Sequence, residues 1–271
     1  MHEPSLTVVK IGGSAGVDPG NLCADVAGWA RQGRSTLLVH GVSGRVNRLS
    51  EALGRPPTFL TSPAGFVSRY TDLPTRRIYV RAAKEENAQI VSALAQHGVE
   101  AVGMDGVGYA LSGLRKQATR AVVAGHTVVI RDDYSGRISD IDEVLLRSIL
   151  AAGRVPVLPP LVHSKNDGHL NVDGDRVAAA VAAALGARTL IILSDIPGLM
   201  RRYPEEDSLV RRVGRDEMEQ AFVWAQGRMK RKVLSAREAI EGGVERVGLA
   251  DARVRQPLRQ AMAGGGTWFD G

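Results

Sequence analysis

Short apolar runs alternate with segments of helical spacing along almost the whole chain, and that alternation leaves few folds open. Residues 8–11 read as a buried strand, 18–31 as a helix, 35–39 as a second strand and 45–53 as a second helix. A long helix over 73–97 opens at Pro74, and a third strand over 99–104 closes at Asp105-Gly106. Strands follow at 155–158, 189–193, 246–249 and 267–269, with helices at 141–152, 176–185, 229–241 and 254–263. Only 108–138 is irregular: residues 128–130 and the turn at 132–136 predict a small hairpin laid over one sheet edge. Residues 163–169 read as a polar loop. The whole predicts an α/β protein, a mostly parallel sheet with helices on both faces.

The strand ends carry the chemistry. Lys10 to Ser14, His40 to Gly44, Asn171 to Asp175 and Ser194 to Gly198 are polar or glycine-bearing loops, and in a parallel sheet such loops converge on one rim. Gly12 and Gly13 let backbone N–H groups approach an anion closely. The rim gathers the cations Lys10, Arg69 and Lys232 but few carboxylates, Asp173, Asp175 and Asp195. There is no Walker lysine and no metal triad. This inventory suits phosphoryl transfer, in which catalysis is mostly positioning and neutralisation of spreading negative charge. Plainer readings stand beside it: Lys10 as a snorkelling lysine in an ordinary βα turn, Asp173 and Asp175 as helix caps, Arg69 as the partner of Asp72.

Composition narrows the partners. A chain of 271 residues, 44% apolar, supports one large or two coupled domains. The net charge of +6 and pI near 9.8 favour phosphates, polyanions or an acidic protein. Cations concentrate at 68–84 and 221–237. With aromatics at 4% and no recognisable module, nucleic acid is not the expected partner. The single Cys23 excludes an internal disulfide framework, and scattered histidines predict no metal cluster. No signal-like leader and no apolar window of about 18 residues occur, so a cytoplasmic protein without membrane association is expected.

Taken in order, Lys10-Ile11-Gly12-Gly13, His40-Gly41, Ser68-Arg69-Tyr70-Thr71-Asp72, Asn171-Val172-Asp173-Gly174-Asp175, Ser194-Asp195-Ile196-Pro197-Gly198 and Gly227-Arg228-Met229-Lys230-Arg231-Lys232-Val233 match the motifs of the amino-acid kinases of acetylglutamate kinase type. Nearly the whole chain is covered. The wording of 65–72, 226–233 and 250–254 is most similar to the branch that phosphorylates the side-chain carboxylate of α-aminoadipate or glutamate held on a small acidic amino-group carrier protein, in lysine or arginine biosynthesis. The resemblance implies a three-layer αβα sandwich in two lobes. An amino-terminal lobe, 1–186, would bind the acceptor and dimerise, and a carboxyl-terminal lobe, 187–271, would bind ATP, which brings its Mg2+ with it rather than finding it in a protein cage.

Residue by residue, the resemblance makes Lys10 and Lys232 the cations that meet the transferring phosphoryl group, with Lys230 a rival for the second place, and Asp175 the carboxylate that orients them. Gly12, Gly13, Gly41 and Val42 would supply N–H groups, Arg69 the α-carboxylate contact and Asn171 a hold on the acceptor. Ser194, Asp195, Tyr203 and Met229 would line the nucleotide site. One departure is plain: relatives carry a run of glycines where this chain has Gly41-Val42-Ser43-Gly44. A β-branched residue disfavours positive φ and close backbone approach, so a reshaped turn is expected. Competing readings are a kinase of free acetylglutamate, a catalytically weakened binding protein of the same fold, and a dinucleotide oxidoreductase, which lacks its Gly-x-Gly-x-x-Gly fingerprint.

Overall fold

The computed structural model describes residues 5–14, 16–104 and 110–271. The first part of the chain forms β1 (Thr7–Ile11), α1 (Pro19–Ala30), β2 (Thr36–His40), α2 (Ser43–Ala52), β3 (Phe59–Thr61), β4 (Val67–Arg69), α3 (Leu73–Gln96) and β5 (Ala101–Gly103). Then come β6 (Leu111–Arg115), β7 (Thr119–Val123), β8 (His126–Ile130), β9 (Gly136–Ile141), α4 (Glu143–Ala151), β10 (Val155–Leu158), β11 (Leu161–Ser164), β12 (Gly168–Asn171) and α5 (Gly174–Ala184). The remainder forms β13 (Thr189–Ser194), β14 (Arg212–Val213), α6 (Met218–Trp224), α7 (Met229–Glu241), β15 (Arg246–Asp251), α8 (Pro257–Met262) and β16 (Thr267–Asp270).

One sheet runs β14-β16-β15-β13-β1-β2-β10-β5. Its pairings are parallel except that of β15 with β16. Strand β1 is central and buried on both faces, which is why it reads as a continuous apolar run. Alternation divides it: Val8 enters the core shared with α5 and α7, and Val9 and Ile11 enter the core shared with α1, α3 and α8. Lys10 stands on the Val8 face, one residue before the strand ends, and therefore looks toward α5. The result is a three-layer sandwich with the strand ends gathered at one rim.

Several expectations need correction. Residues 128–130 do lie in a hairpin, but it is β7 with β8, closed at Ala124-Gly125; the 132–136 stretch leads into β9 instead. The polar loop at 163–169 is a second hairpin, β11 with β12, joined to β6 and β9 in a four-stranded sheet. The helix placed at 254–263 starts only at Pro257, because Gln256 ahead of it is left-handed with φ 58°. Neither the β3–β4 hairpin nor α6 has a periodicity long enough to read. The Asp105-Gly106 turn lies outside the described residues.

Candidate active site

The rim encloses a cleft of about 570 Å³ lined by Lys10, Gly12, Gly13, Gly41, Val42, Arg69, Asn171, Asp175, Ser194, Asp195, Tyr203, Met229 and Lys232. Every residue singled out from the sequence as a site residue thus borders one space. At its floor Asp175 is clamped between two lysines, with Lys10 Nζ 2.7 Å from Oδ1 and Lys232 Nζ 3.0 Å from Oδ2. All three are buried. Burial alone would raise the Asp175 pKa, but the ammonium groups on its two oxygens hold it well below the usual carboxylate range. Burial pushes Lys232 down, Lys10 pushes the same way, and Asp175 opposes both.

Local structure explains the clamp. Asp173, not Asp175, caps α5, accepting from the N–H groups of Asp175 at 3.0 Å and Arg176 at 3.2 Å. That leaves the Asp175 carboxylate, in the first turn, free to meet Lys10 from the adjacent strand. Lys232 arrives from the first turn of α7, which packs beside α5. Lys230 sits elsewhere, with its Nζ beside Gly65 at the end of the β3–β4 loop, and so is separated from the carboxylate. Two ammonium groups held by one carboxylate keep one net positive charge in a desolvated floor, a place for an anion.

The glycine turns fit only as glycine. A Cβ on Gly13 would collide with the backbone of Gly41 and Val42, and one on Gly41 with the Gly13 nitrogen. The turns after β1 and β2 therefore lie backbone against backbone. The N–H groups of Gly12 and Gly41 donate to Leu193 O and Ile11 O, each at 2.8 Å, which removes these two from the expected set of ligand donors. Gly13 and Val42 N–H find no partner among the described residues. Val42 has φ −136°, so valine is accommodated without strain and the expected reshaping has no steric cause. Its side chain is buried against Val46, Ile78, Tyr79 and Leu161.

The other side of the cleft carries Arg69, which is buried, donates from Nη2 to Asn47 Oδ1 at 2.6 Å and stacks on Phe59. Its Nη1 is buried without a partner among the described residues. Asp72 is not that partner, since it caps α3 and pairs with Arg55 at 2.8 Å. Asn171 Nδ2 donates to Thr71 Oγ1 at 2.9 Å. Ser194 and Met229 are buried, and Tyr203 stands exposed at the outer edge near Trp224 and Met200. Sequence reasoning missed Asn47, Asp133, Lys116 and Trp224, none of which sits in a motif with spacing of its own, and it gave Thr71 no role although Thr71 stands inside the 68–72 motif.

The basic segments are partly consumed within the fold. Arg231 pairs with Asp173 at 3.4 Å and donates to Val67 O, Arg237 meets Glu219, and Arg76 stacks on Tyr134. Arg77, Arg81 and Lys84 on α3 remain exposed. Among the described residues no helix is long and apolar enough to cross a membrane.

His40 holds the second glycine turn from behind. Fully buried, its Nε2 accepts from Asn87 Nδ2 at 3.1 Å, and the same amide donates to Val157 O at 2.9 Å. Burial lowers the His40 pKa from 6.5 to about 4. The unfolded chain then binds the extra proton between those values, so stability falls as pH drops through that window, by up to roughly 3 kcal/mol. Urea midpoints at pH 7 and 4.5 should show this loss and a smaller one in His40→Asn; equal losses would remove the assignment.

Residues 5–251 match the model of the amino acid kinase family. The chain is 44% identical over 265 residues to the LysW-aminoadipate kinase of Deinococcus radiodurans, covering 97% of this chain and 91% of the relative. Against the LysW-aminoadipate kinase of Thermus thermophilus it is 43% identical over 266 residues, 97% and 99% of the two chains. Among solved structures, N-acetylglutamate synthase of Neisseria gonorrhoeae, complexed with coenzyme A and N-acetyl-glutamate, superposes with a TM-score of 0.81 at 27% identity; the match covers 98% of this chain and 59% of that one. Carbamate kinase of Giardia lamblia, at 14% identity and a TM-score of 0.69, shares the fold over 100% of this chain and 99% of its own. A parallel sheet whose rim holds the lysine-carboxylate-lysine clamp, matched across nearly its full length by this family, leaves one conclusion: the chain belongs to the amino acid kinase family.

Proposed function

We propose that this protein transfers the γ-phosphoryl group of ATP to the side-chain carboxylate of α-aminoadipate, or of glutamate, held through its amino group on a small acidic carrier protein of the LysW type, in lysine biosynthesis. The observation that carries the reading is the Lys10-Asp175-Lys232 clamp at the floor of a cleft shared by both glycine turns and Arg69. The names of the 43% and 44% identical relatives support the acceptor.

In this reading the acceptor carboxylate, ionised at neutral pH, attacks the γ-phosphorus in line and needs no general base. The P–O bond to ADP breaks as the acyl–phosphate bond forms. Lys10 and Lys232 neutralise the charge spreading over the transferring group, and Asp175 fixes both ammonium groups so that little reorganisation is needed. Gly13 and Val42 donate their free N–H groups to phosphate or acceptor oxygens. The orphaned Nη1 of Arg69, with the rest of its planar fork, takes the α-carboxylate, and Asn171 holds the acceptor beside it. Ser194, Asp195, Tyr203 and Met229, in the 187–271 lobe, take the nucleotide, while 1–186 takes the acceptor. Magnesium would come with ATP, on the nucleotide's own phosphates.

The test is to load the carrier with aminoadipate, add ATP, and trap the acyl phosphate with hydroxylamine. Hydroxamate on the loaded carrier supports the reading; ADP release with free acetylglutamate and none with loaded carrier would replace it. Arg69→Met should raise the KM for the acceptor about tenfold or more, the value of a charge-assisted pair, and leave that for ATP within about twofold. An unchanged acceptor KM would free Arg69 from this role.

A further inference from the structure

Arg69 reaches the acceptor side of the cleft from the end of β4, whose only partner strand is β3. A hairpin of two short strands is marginal in water by itself, so the guanidinium needs support from elsewhere. That support comes from 133–135. Tyr134 N–H donates to Thr71 O at 2.7 Å and Asn171 N–H to Tyr134 O at 3.1 Å, which knits the chain just after β4 and the end of β12 to one stretch of backbone. The Asp133 carboxylate is the centre of the join. It accepts on Oδ1 from Thr71 N–H at 3.1 Å and Ser135 Oγ at 3.0 Å, and on Oδ2 from Thr119 Oγ1 at 2.7 Å. Thr71 carries the connection forward, its hydroxyl accepting from Asn171 Nδ2 at 2.9 Å and donating to Arg69 O at 3.3 Å.

Three acids are buried among the described residues, and the other two have evident partners. Asp175 is clamped by Lys10 and Lys232, and Asp25 accepts from the N–H groups of Leu258 and Arg259 at the start of α8. Asp133 caps no described helix, and among the described residues no lysine or arginine side chain pairs with its carboxylate. Burying a carboxylate without a cation is costly, and here only bonds from neutral donors offset it. A bond to a charged acceptor is stronger than one to a neutral acceptor, which makes the Thr71 N–H contact a firm anchor. Asp133 and Thr71 are 1% and 0% exposed, so water cannot replace either partner.

We propose that Asp133 is a positioning residue for the acceptor: acting through Thr71, it sets Arg69 and Asn171 against the same substrate without touching that substrate itself. The inference rests on the phosphoryl-transfer reading above and adds to it a residue outside the cleft lining on which acceptor affinity depends. The lysine clamp lies on other elements, β1, α5 and α7, so the nucleotide side is independent of Asp133.

The experiment measures hydroxamate formation with varied loaded carrier and varied ATP. Asp133→Ala should raise the KM for the carrier about tenfold or more and leave that for ATP within about twofold, since a displacement of about 1 Å in a positioning group is enough for such a loss. Asp133→Asn keeps an oxygen for Thr71 N–H and can turn its amide to the Thr119 hydroxyl, so it should restore most of the affinity. Thr119→Val removes a bond to the oxygen that Thr71 does not use; it should lower the urea midpoint and leave the carrier KM within about twofold. In an Arg69→Met background Asp133→Ala should add less than about threefold, because a group it places is gone. Should Asp133→Ala not fold, Thr71→Val cuts the same path at its hydroxyl and should give the same split between the two KM values. An unchanged carrier KM in the folded variant, equal rises in both KM values, or an undiminished effect beside Arg69→Met overturns the proposal. Failure of the parent reading looks different: wild-type protein would then yield no hydroxamate from the loaded carrier at all, and the proposal would fall with it.

Discussion

Lys232→Ala is expected to lower turnover by about 10² to 10³, comparable to loss of one preorganised oxyanion donor, while ATP affinity changes by less than about tenfold. Lys10→Ala should behave alike. The reason for the split is that ground-state ATP brings its own counter-ion and many contacts, whereas the charge that appears in flight meets the clamped ammonium groups most strongly. Neither lysine is free to compensate for the other, since each already holds one oxygen of Asp175. Asp175→Asn separates geometry from charge: it preserves the shape but leaves two buried ammonium groups without their counter-charge. That variant should lose stability as well as turnover, and its activity should fall off at lower pH on the alkaline limb, as one lysine gives up its proton. Turnover unchanged in Lys10→Ala or Lys232→Ala would withdraw that lysine from the reaction.

Gly13→Ala should be among the most damaging single methyl groups at the described glycines. Its Cβ would meet the backbone of Gly41 and Val42, which cannot swing aside as a side chain can. Overpacking of this kind costs about 1 to 3 kcal/mol where neighbours yield, so a cost at or above that range is expected. In a chain of this size each kcal/mol moves Tm by roughly 2 to 4 °C, so a fall of several degrees should accompany lost activity. Gly28→Ala is the control, since a methyl group there meets nothing within 4 Å on α1. Helix propensity predicts a gain of about 0.5 to 1 kcal/mol for it. If Gly13→Ala and Gly28→Ala melted alike, the contact between the two glycine turns would carry no weight.

These expectations grow from features that differ in how far the sequence reveals them. Long helices and buried parallel strands declare themselves through periodicity, as α3 and β13 do, and their ends place the glycine turns and Asp175 on one rim. The choice between Asp173 and Asp175 as cap does not declare itself, because both residue types suit the position; only the arrival of Lys10 from the neighbouring strand decides it. The 108–138 stretch is less legible still. Its strands are short, and Asp133 acts by bonding Thr71, sixty-two residues away in the chain. No local pattern encodes such a hub, which is why Asn47 and Lys116 also escape a reading from spacing. Val42 shows the converse: an unusual residue in a motif, alarming on paper, meets no backbone objection once its φ is negative.

The most direct measurement of the account is a structure of this protein with a non-hydrolysable ATP analogue and the aminoadipate-loaded carrier. The predicted result places the γ-phosphorus between the ammonium groups of Lys10 and Lys232, with the acceptor's side-chain carboxylate in line beside Gly13 and its α-carboxylate on Arg69. A terminal phosphate lying away from the two lysines, or an acceptor whose reacting carboxylate points out of the cleft, would contradict it.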